Sequence, residues 1–150
     1  MRIVFLQNSA VNESLALTEL SAVLKAEGHE TQLYLSDEEK YLEDELTRYA
    51  PDLAIIPCHV AGHEVALDFA KQLKKLRPSC TVVFGGTHAT FDPDIALHPS
   101  VDACVIGEAE GAMVELAHAL VQGDDWHAIK NLAYDKDGKL HRNELRPLIA

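Results

Sequence analysis

The sequence predicts an α/β domain: a doubly wound, mainly parallel sheet of five strands, with helices on both faces and a small C-terminal β-hairpin. Three observations lead there. Short apolar runs alternate with segments of helical periodicity along most of the chain. The runs are almost continuously apolar, as expected of strands covered on both faces. Two of them end in glycine-led loops, Gly85-Gly86-Thr87-His88 after Val83-Phe84 and Gly107-Glu108-Ala109-Glu110-Gly111 after Val105-Ile106. Paired glycines after a buried strand let the backbone approach a bulky partner closely, because no Cβ intervenes.

The first strand is expected at residues 3–6, within the opening Met1-Arg2-Ile3-Val4-Phe5-Leu6-Gln7, a run too short for a signal peptide or membrane span. Leu17, Leu20 and Leu24 mark the first helix, which Gly28 stops. A second strand follows at 31–35. Leu42, Leu46 and Tyr49 mark an acidic helix ended by Pro51, and residues 53–56 give a third strand. Val65, Ala66, Phe69, Ala70, Leu73 and Leu76 form the stripe of the third helix, with Pro78 beyond it. Strands at 81–84 and 103–106 complete the five. Met113, Leu116, Ala117 and Leu120 define a last helix that closes near Gly123. The doubly wound class is that of Rossmann or flavodoxin-like sheets. Residues 1–125 read as this domain. Residues 126–150 read as a hairpin with an Asp137-Gly138 turn and the start of a linker.

Composition narrows the partners. The chain has 150 residues, 47% of them hydrophobic, which suits one compact core. Its 13 basic and 24 acidic residues give a formal charge of -11, which repels nucleic-acid phosphates and anionic lipid. Nucleic acid and membrane are therefore excluded as expected partners, and a cytoplasmic location is expected. Cys58, Cys80 and Cys104 make neither a disulfide framework nor a Cys-x-x-Cys motif. Cys80 and Cys104 read as core thiols, whereas Cys58 follows a strand end.

Right-handed crossovers place all strand-to-helix loops on one edge. Four loops, at 7–12, 57–64, 85–90 and 107–111, would rim one crevice there. They offer backbone N–H groups and small side chains, which suits holding a large ligand better than activating a small one. Thr87 and Thr90 are candidate donors. Glu108 and Glu110 are candidate acceptors, or alternatively partners of the positive end of the following helix. Of the eight histidines, His29, His98, His118, His127 and His141 fall away from this edge and carry no expected role. His59, His63 and His88 lie on it. The i, i+4 spacing of His59 and His63 fits a helical zinc pair, but no Glu follows His59 and a third ligand is not evident.

Several α/β functions are excluded by what the loops contain. The stretch after the first strand, Gln7-Asn8-Ser9-Ala10-Val11-Asn12, lacks the glycines of a dinucleotide site. Pro57 stands where a phosphoacceptor aspartate would, and no Gly-x-Ser-x-Gly nucleophile elbow occurs.

Read together, the series resembles the N-terminal cobalamin (vitamin B12)-binding domain of cobalamin-dependent radical S-adenosylmethionine (SAM) enzymes. The resemblance rests on Leu24-Lys25-Ala26-Glu27-Gly28-His29-Glu30, Tyr49-Ala50-Pro51-Asp52-Leu53 and Gly85-Gly86-Thr87-His88-Ala89-Thr90 followed by Pro93. It continues through Val101-Asp102-Ala103-Cys104-Val105-Ile106-Gly107-Glu108-Ala109-Glu110, the hairpin and Arg146-Pro147. The resemblance implies a corrin ring over the strand C-termini, with its nucleotide tail inserted between sheet and helices past Gly85 and Gly86. It implies that Pro57, Cys58, His59 and Val60 flank the tail and lower corrin face. Asn8, Ser9 and Ala10 would lie beneath the ring, Gly107, Glu108 and Glu110 on the far side of the tail pocket, and Thr87 and His88 beside the double glycine. On this reading Gly86→Val is expected to fill the tail channel and abolish binding while leaving folding largely intact.

Two departures from the family pattern matter. The Asp-x-His-x-x-Gly motif, whose histidine replaces the tail base on cobalt in other cobalamin domains, is absent after the first strand; in Asp125-Trp126-His127, Lys130 replaces its glycine. The Cys-x-x-x-Cys-x-x-Cys motif is absent too, so no iron–sulfur cluster is expected in this chain. The implied function is a module that holds cobalamin with its base displaced, for methyl transfer or radical chemistry by a radical SAM domain in cis or in trans. Two alternatives stay open: a small-molecule enzyme using the rim histidines and glutamates, with or without zinc, and a degenerate domain that binds no corrinoid.

Overall fold

Strands β1 (Arg2–Gln7), β2 (Glu30–Leu35), β3 (Leu53–Pro57), β4 (Thr81–Gly85), β5 (Ala103–Val105), β6 (Leu132–Lys136) and β7 (Lys139–Arg142) form one sheet in the order β2-β1-β3-β4-β5-β6-β7. The computed structural model describes residues 1–8, 15–35 and 41–148. β1 to β5 are parallel, whereas β6 runs antiparallel to β5 and β7 antiparallel to β6. The sheet thus has seven strands rather than five. The predicted hairpin forms, with φ of 56° at Asp137 and 78° at Gly138 as a primed two-residue turn requires, but it does not stand apart. β5 is only three residues long, and without β6 its backbone would be an open edge.

Helices α1 (Leu15–Ala26) and α5 (Glu110–Gln122) cover one face; α2 (Leu42–Tyr49), α3 (His63–Leu76) and α4 (Thr87–Phe91) lie with the other. Strand side chains alternate between the two cores. Ile3, Phe5, Leu53, Ile55, Val83, Ala103 and Val105 join α1 and α5, while Val4, Leu6, Ala54, Ile56, Val82, Phe84 and Cys104 join the opposite core. Period-2 alternation with both faces apolar explains the unbroken runs in the sequence. α1 ends as expected at Gly28, whose φ of 83° lets the His29 N–H reach the Leu24 carbonyl at 3.1 Å. α5 ends likewise at Gly123.

Two aspartates staple the edge opposite the glycine loops. Asp52 accepts the Arg2 N–H at 2.9 Å and pairs with Arg77 at 3.2 Å. Asp102 accepts the Val82 N–H and the Lys74 ammonium, each at 2.6 Å. Each aspartate sits one residue before a strand and ties it to a neighbour and to the end of α3. His29, expected to be of no consequence, is buried at this end, with Nδ1 3.5 Å from the N-terminal amine and Nε2 without a hydrogen-bond partner among the described residues.

Candidate functional site

The order β2-β1-β3-β4-β5 creates a topological switch point, because the chain leaves β1 toward β2 and leaves β3 toward β4. The loops diverge at the carboxyl ends of β1 and β3, which is where open α/β sheets receive ligands. Gln7 and Asn8 stand on one side of that divergence, Pro57 and Cys58 on the other. Asn8 is exposed; Ser9 and Ala10 lie outside the described residues.

The remaining sequence-predicted residues sit on this edge, and a series of short bonds joins their loops. The buried Cys58 donates its N–H to the Gly85 carbonyl at 2.7 Å and accepts the His88 N–H at 3.0 Å. The loop after β3 is thereby fixed to the start of α4. That short helix occupies most of the stretch expected to be a loop, because Thr90 N–H returns to the Gly86 carbonyl at 3.0 Å. Thr90 in turn accepts the Gly107 N–H on its hydroxyl at 3.2 Å, joining the two glycine loops.

The two glycines of the first loop have different reasons for being small. Gly86 adopts φ 94°, ψ -169°, a region open only to glycine, and a Cβ there would stand 3.0 Å from the Cys58 carbonyl oxygen. The expectation that Gly86→Val would leave the fold intact is therefore withdrawn. Gly85 has no such strain. A Cβ on it would meet Val105 Cγ1 at 3.1 Å, on the face shared with α1 and α5.

His63 and His88 stack with ring centroids 4.9 Å apart and planes 11° from parallel. The His63 Nδ1–H donates to the Val60 carbonyl at 2.9 Å, since a carbonyl can only accept. His59 lies before α3 in extended conformation, with Nδ1 3.4 Å from the exposed Thr87 hydroxyl, so His59 and His63 do not share a helix face. Among the described residues no group of three His, Cys, Asp or Glu side chains is placed to hold a metal ion. Val60 is 67% exposed beside them. His127 is bound to Asp125 at 2.5 Å and stacked on Trp126, away from this edge.

Glu108 is exposed at the far loop, and Glu110 begins α5. Glu110 does not cap the helix. Its Oε2 is buried and, among the described residues, has no hydrogen-bond partner, which leaves an acceptor without a donor beside the loop. The same loop is held from outside by Asn131 and Arg146, to which sequence reasoning gave no role. The signal available was an Asn between the last helix and a strand, a residue type tolerant of left-handed backbone. A cavity of about 750 Å³ opens between α1 and the β1–β2 edge, lined by Phe5, Leu17, Thr31 and Leu33, and reaches Gln7 at the start of the first predicted loop. We place the site along the stitched loops, which run from the switch point beside β3 to the loop after β5 that leads into Glu110.

Comparison with known proteins gives the family and the fold. The chain is 34% identical over 106 residues to an uncharacterized methyltransferase of Pyrococcus horikoshii, covering 69% of this chain and 23% of that protein. It is 30% identical over 145 residues to the anaerobic magnesium-protoporphyrin IX monomethyl ester cyclase of Rubrivivax gelatinosus, covering 87% and 25%. The chain thus spans about a quarter of the curated relatives it matches. Its fold superposes with a TM-score of 0.80 on the radical SAM methyltransferase TsrM from Kitasatospora setae with cobalamin and a [4Fe-4S] cluster bound, at 19% identity, covering 99% of this chain and 30% of that one. OxsB, a cobalamin-dependent SAM radical enzyme with aqua-cobalamin bound, also gives 0.80, at 14% identity and 98% and 22% coverage. At such identities the likeness is one of fold. The B12 binding domain model matches residues 1–117, across the five parallel strands, the switch point and both glycine loops, and the chain belongs to that cobalamin-binding family.

Proposed function

We propose that this chain holds cobalamin with its tail base displaced from cobalt, and serves methyl transfer or radical chemistry carried out by a radical SAM domain in cis or in trans. The observation that carries the reading is the buried, unpartnered Glu110 oxygen at the rim of a B12-binding fold. Cobalamin brings amide N–H and hydroxyl donors able to satisfy it. When bound, it supplies a cobalt centre that can carry and release a methyl group.

The chain's own residues hold and orient. Gly85 leaves the α1–α5 face of β4 without a side chain, the place the nucleotide tail would occupy. Pro57, Cys58, His59 and Val60 flank the tail and the lower corrin face, with Thr87 and His88 across from them. Asn8 would lie under the ring, and Ser9 and Ala10, expected beside it, lie outside the described residues. Gly107, Glu108 and Glu110 close the far side. The stretch from Gln7 to Asn12 contains no histidine, so a displaced tail base would not be replaced on cobalt by an Asp-x-His-x-x-Gly histidine from this stretch. Residues 1–125 form the cofactor-holding unit, and 126–150 add the hairpin and lead onward.

The test is titration of the purified chain with hydroxocobalamin, read by visible spectrum and by colour retained through gel filtration. Co-elution with a spectrum lacking the benzimidazole-bound bands is the expected result. A colourless protein peak overturns the proposal and leaves the degenerate-domain reading. A base-on spectrum overturns the displaced tail alone.

A further inference from the structure

The loop Gly107–Glu110 is gripped from the C-terminal side by a pair of residues. Asn131 is 5% exposed and adopts φ 72°, a left-handed conformation rare outside glycine. Its side-chain amide donates to the Ile106 carbonyl at 2.7 Å and reaches the Glu108 carbonyl at 3.5 Å. Its backbone carbonyl accepts the Ile106 N–H at 2.8 Å, and its side-chain oxygen accepts the Arg146 N–H, also at 2.8 Å. Both sides of this amide are used, one on the loop and one on the chain after β7.

Arg146 completes the grip. Its guanidinium pairs with Glu115 at 2.6 Å and donates to the Lys130 carbonyl at 2.5 Å. It also lies against the first turn of α5: a Cβ on Gly111 would stand 3.2 Å from Arg146 Nε. The helix that carries Glu110 is therefore covered by Arg146 on one side, while the loop before it is fixed by Asn131. With Thr90 holding Gly107 from α4, the lip is bracketed from two directions.

We infer that Asn131 and Arg146 are positioning residues that hold the Gly107–Glu110 lip, and hence the Glu110 carboxylate, in the geometry that retains cobalamin. The inference rests on the cobalamin reading above. It names residues that touch no part of the proposed ligand and act through the lip.

The experiment compares the full 150-residue chain with Asn131→Asp, Arg146→Ala, Arg146→Lys and Tyr49→Phe. Asn131→Asp tolerates the backbone and keeps the acceptor for Arg146, but loses the amide donors. Tyr49→Phe removes bonds to the Ile3 and Glu30 carbonyls, away from the lip, and controls for loss of stability alone. Two readouts are taken below the melting transition: the dissociation constant for hydroxocobalamin, and hydrogen exchange of the residue 107–110 amides without ligand. Asn131→Asp and Arg146→Ala should each weaken binding about tenfold and speed lip exchange by a similar factor, the loss of one well-placed hydrogen bond. Arg146→Lys should recover part of both, and Tyr49→Phe should change neither. Unchanged exchange in Asn131→Asp and Arg146→Ala overturns the grip. Faster exchange with unchanged affinity overturns its role in retention. Failure of the unsubstituted chain to bind, with the grip intact by exchange, overturns the cobalamin reading instead.

Discussion

The carbonyl oxygen of Cys58 lies 3.0 Å from the position a Cβ on Gly86 would take, and this contact decides what the second glycine is for. The loop after β3 and the start of α4 interlock through it, with or without a ligand between the helices and the sheet.

Replacing Gly86 with Ala should therefore cost about 1–3 kcal/mol of folding stability through backbone strain alone, and Gly86→Val more. Urea denaturation reads it. A Gly86→Ala protein as stable as the parent would show that the loop readjusts.

Gly85→Ala should behave differently. Its neighbour is a single Val105 methyl, and its backbone is unstrained, so the stability cost should be the smaller of the two. Hydroxocobalamin retention should nonetheless fall, because the new methyl projects onto the α1–α5 face. Paired denaturation and titration of the two alanine variants separate room for a ligand from room for the backbone.

Asp102→Ala should cost about 1–3 kcal/mol, since it leaves the Val82 N–H without its acceptor and takes the carboxylate from the Lys74 ammonium, which keeps the Cys80 carbonyl. Cobalamin retention should be unaffected, because this staple lies at the far end of the strands. A large loss of affinity in a folded Asp102→Ala protein would contradict the separation of the two ends.

Burial, and after it the nearby N-terminal ammonium and His118, hold the His29 pKa below its ordinary 6.5, while Glu27 opposes them. The unfolded chain then binds a proton more readily than the native one. This contribution to stability is complete above pH 6.5 and is lost as the pH falls below it. Melting temperatures measured from pH 8 to 5 should decline on the acid side, and less steeply in His29→Gln.

Burial pushes the Cys58 thiol up to about 11 and the Cys80 and Cys104 thiols up to about 12. None of the three should react rapidly with a thiol reagent at pH 8 in the native protein, and all should react in denaturant. Rapid modification of Cys58 in the folded chain would show that its loop opens.

The parallel core was legible because its signal is local. β1, β3 and β4 are buried on both faces, so Ile3–Leu6 and Leu53–Ile56 read as unbroken apolar runs, and Gly28 and Gly123 mark helix ends by their own conformational freedom. The docking of β6 on β5 was not legible, because the hairpin's turn and alternation say nothing about which edge it joins. α4, at five residues, is too short to show a helical period. Of the site, the glycine loops and Glu110 could be named from their place after strands. Asn131 and Arg146 could not, because their partners lie 25 and 31 residues away in Ile106 and Glu115. The repeated pattern of an aspartate just before a strand, Pro51-Asp52-Leu53 and Val101-Asp102-Ala103, was visible, and the structure shows that it marks staples rather than chemistry.

The grip of Asn131 and Arg146 on the lip also sets a schedule. During synthesis the glycine loops and β5 emerge well before the residues that secure them. A nascent chain that has reached α5 already carries most of the pocket wall, but its lip is untied and the edge of β5 is bare. The ties of Asn131 and Arg146 can form only after all seven strands have been made, so the lip is the last part of this sheet edge to be fixed.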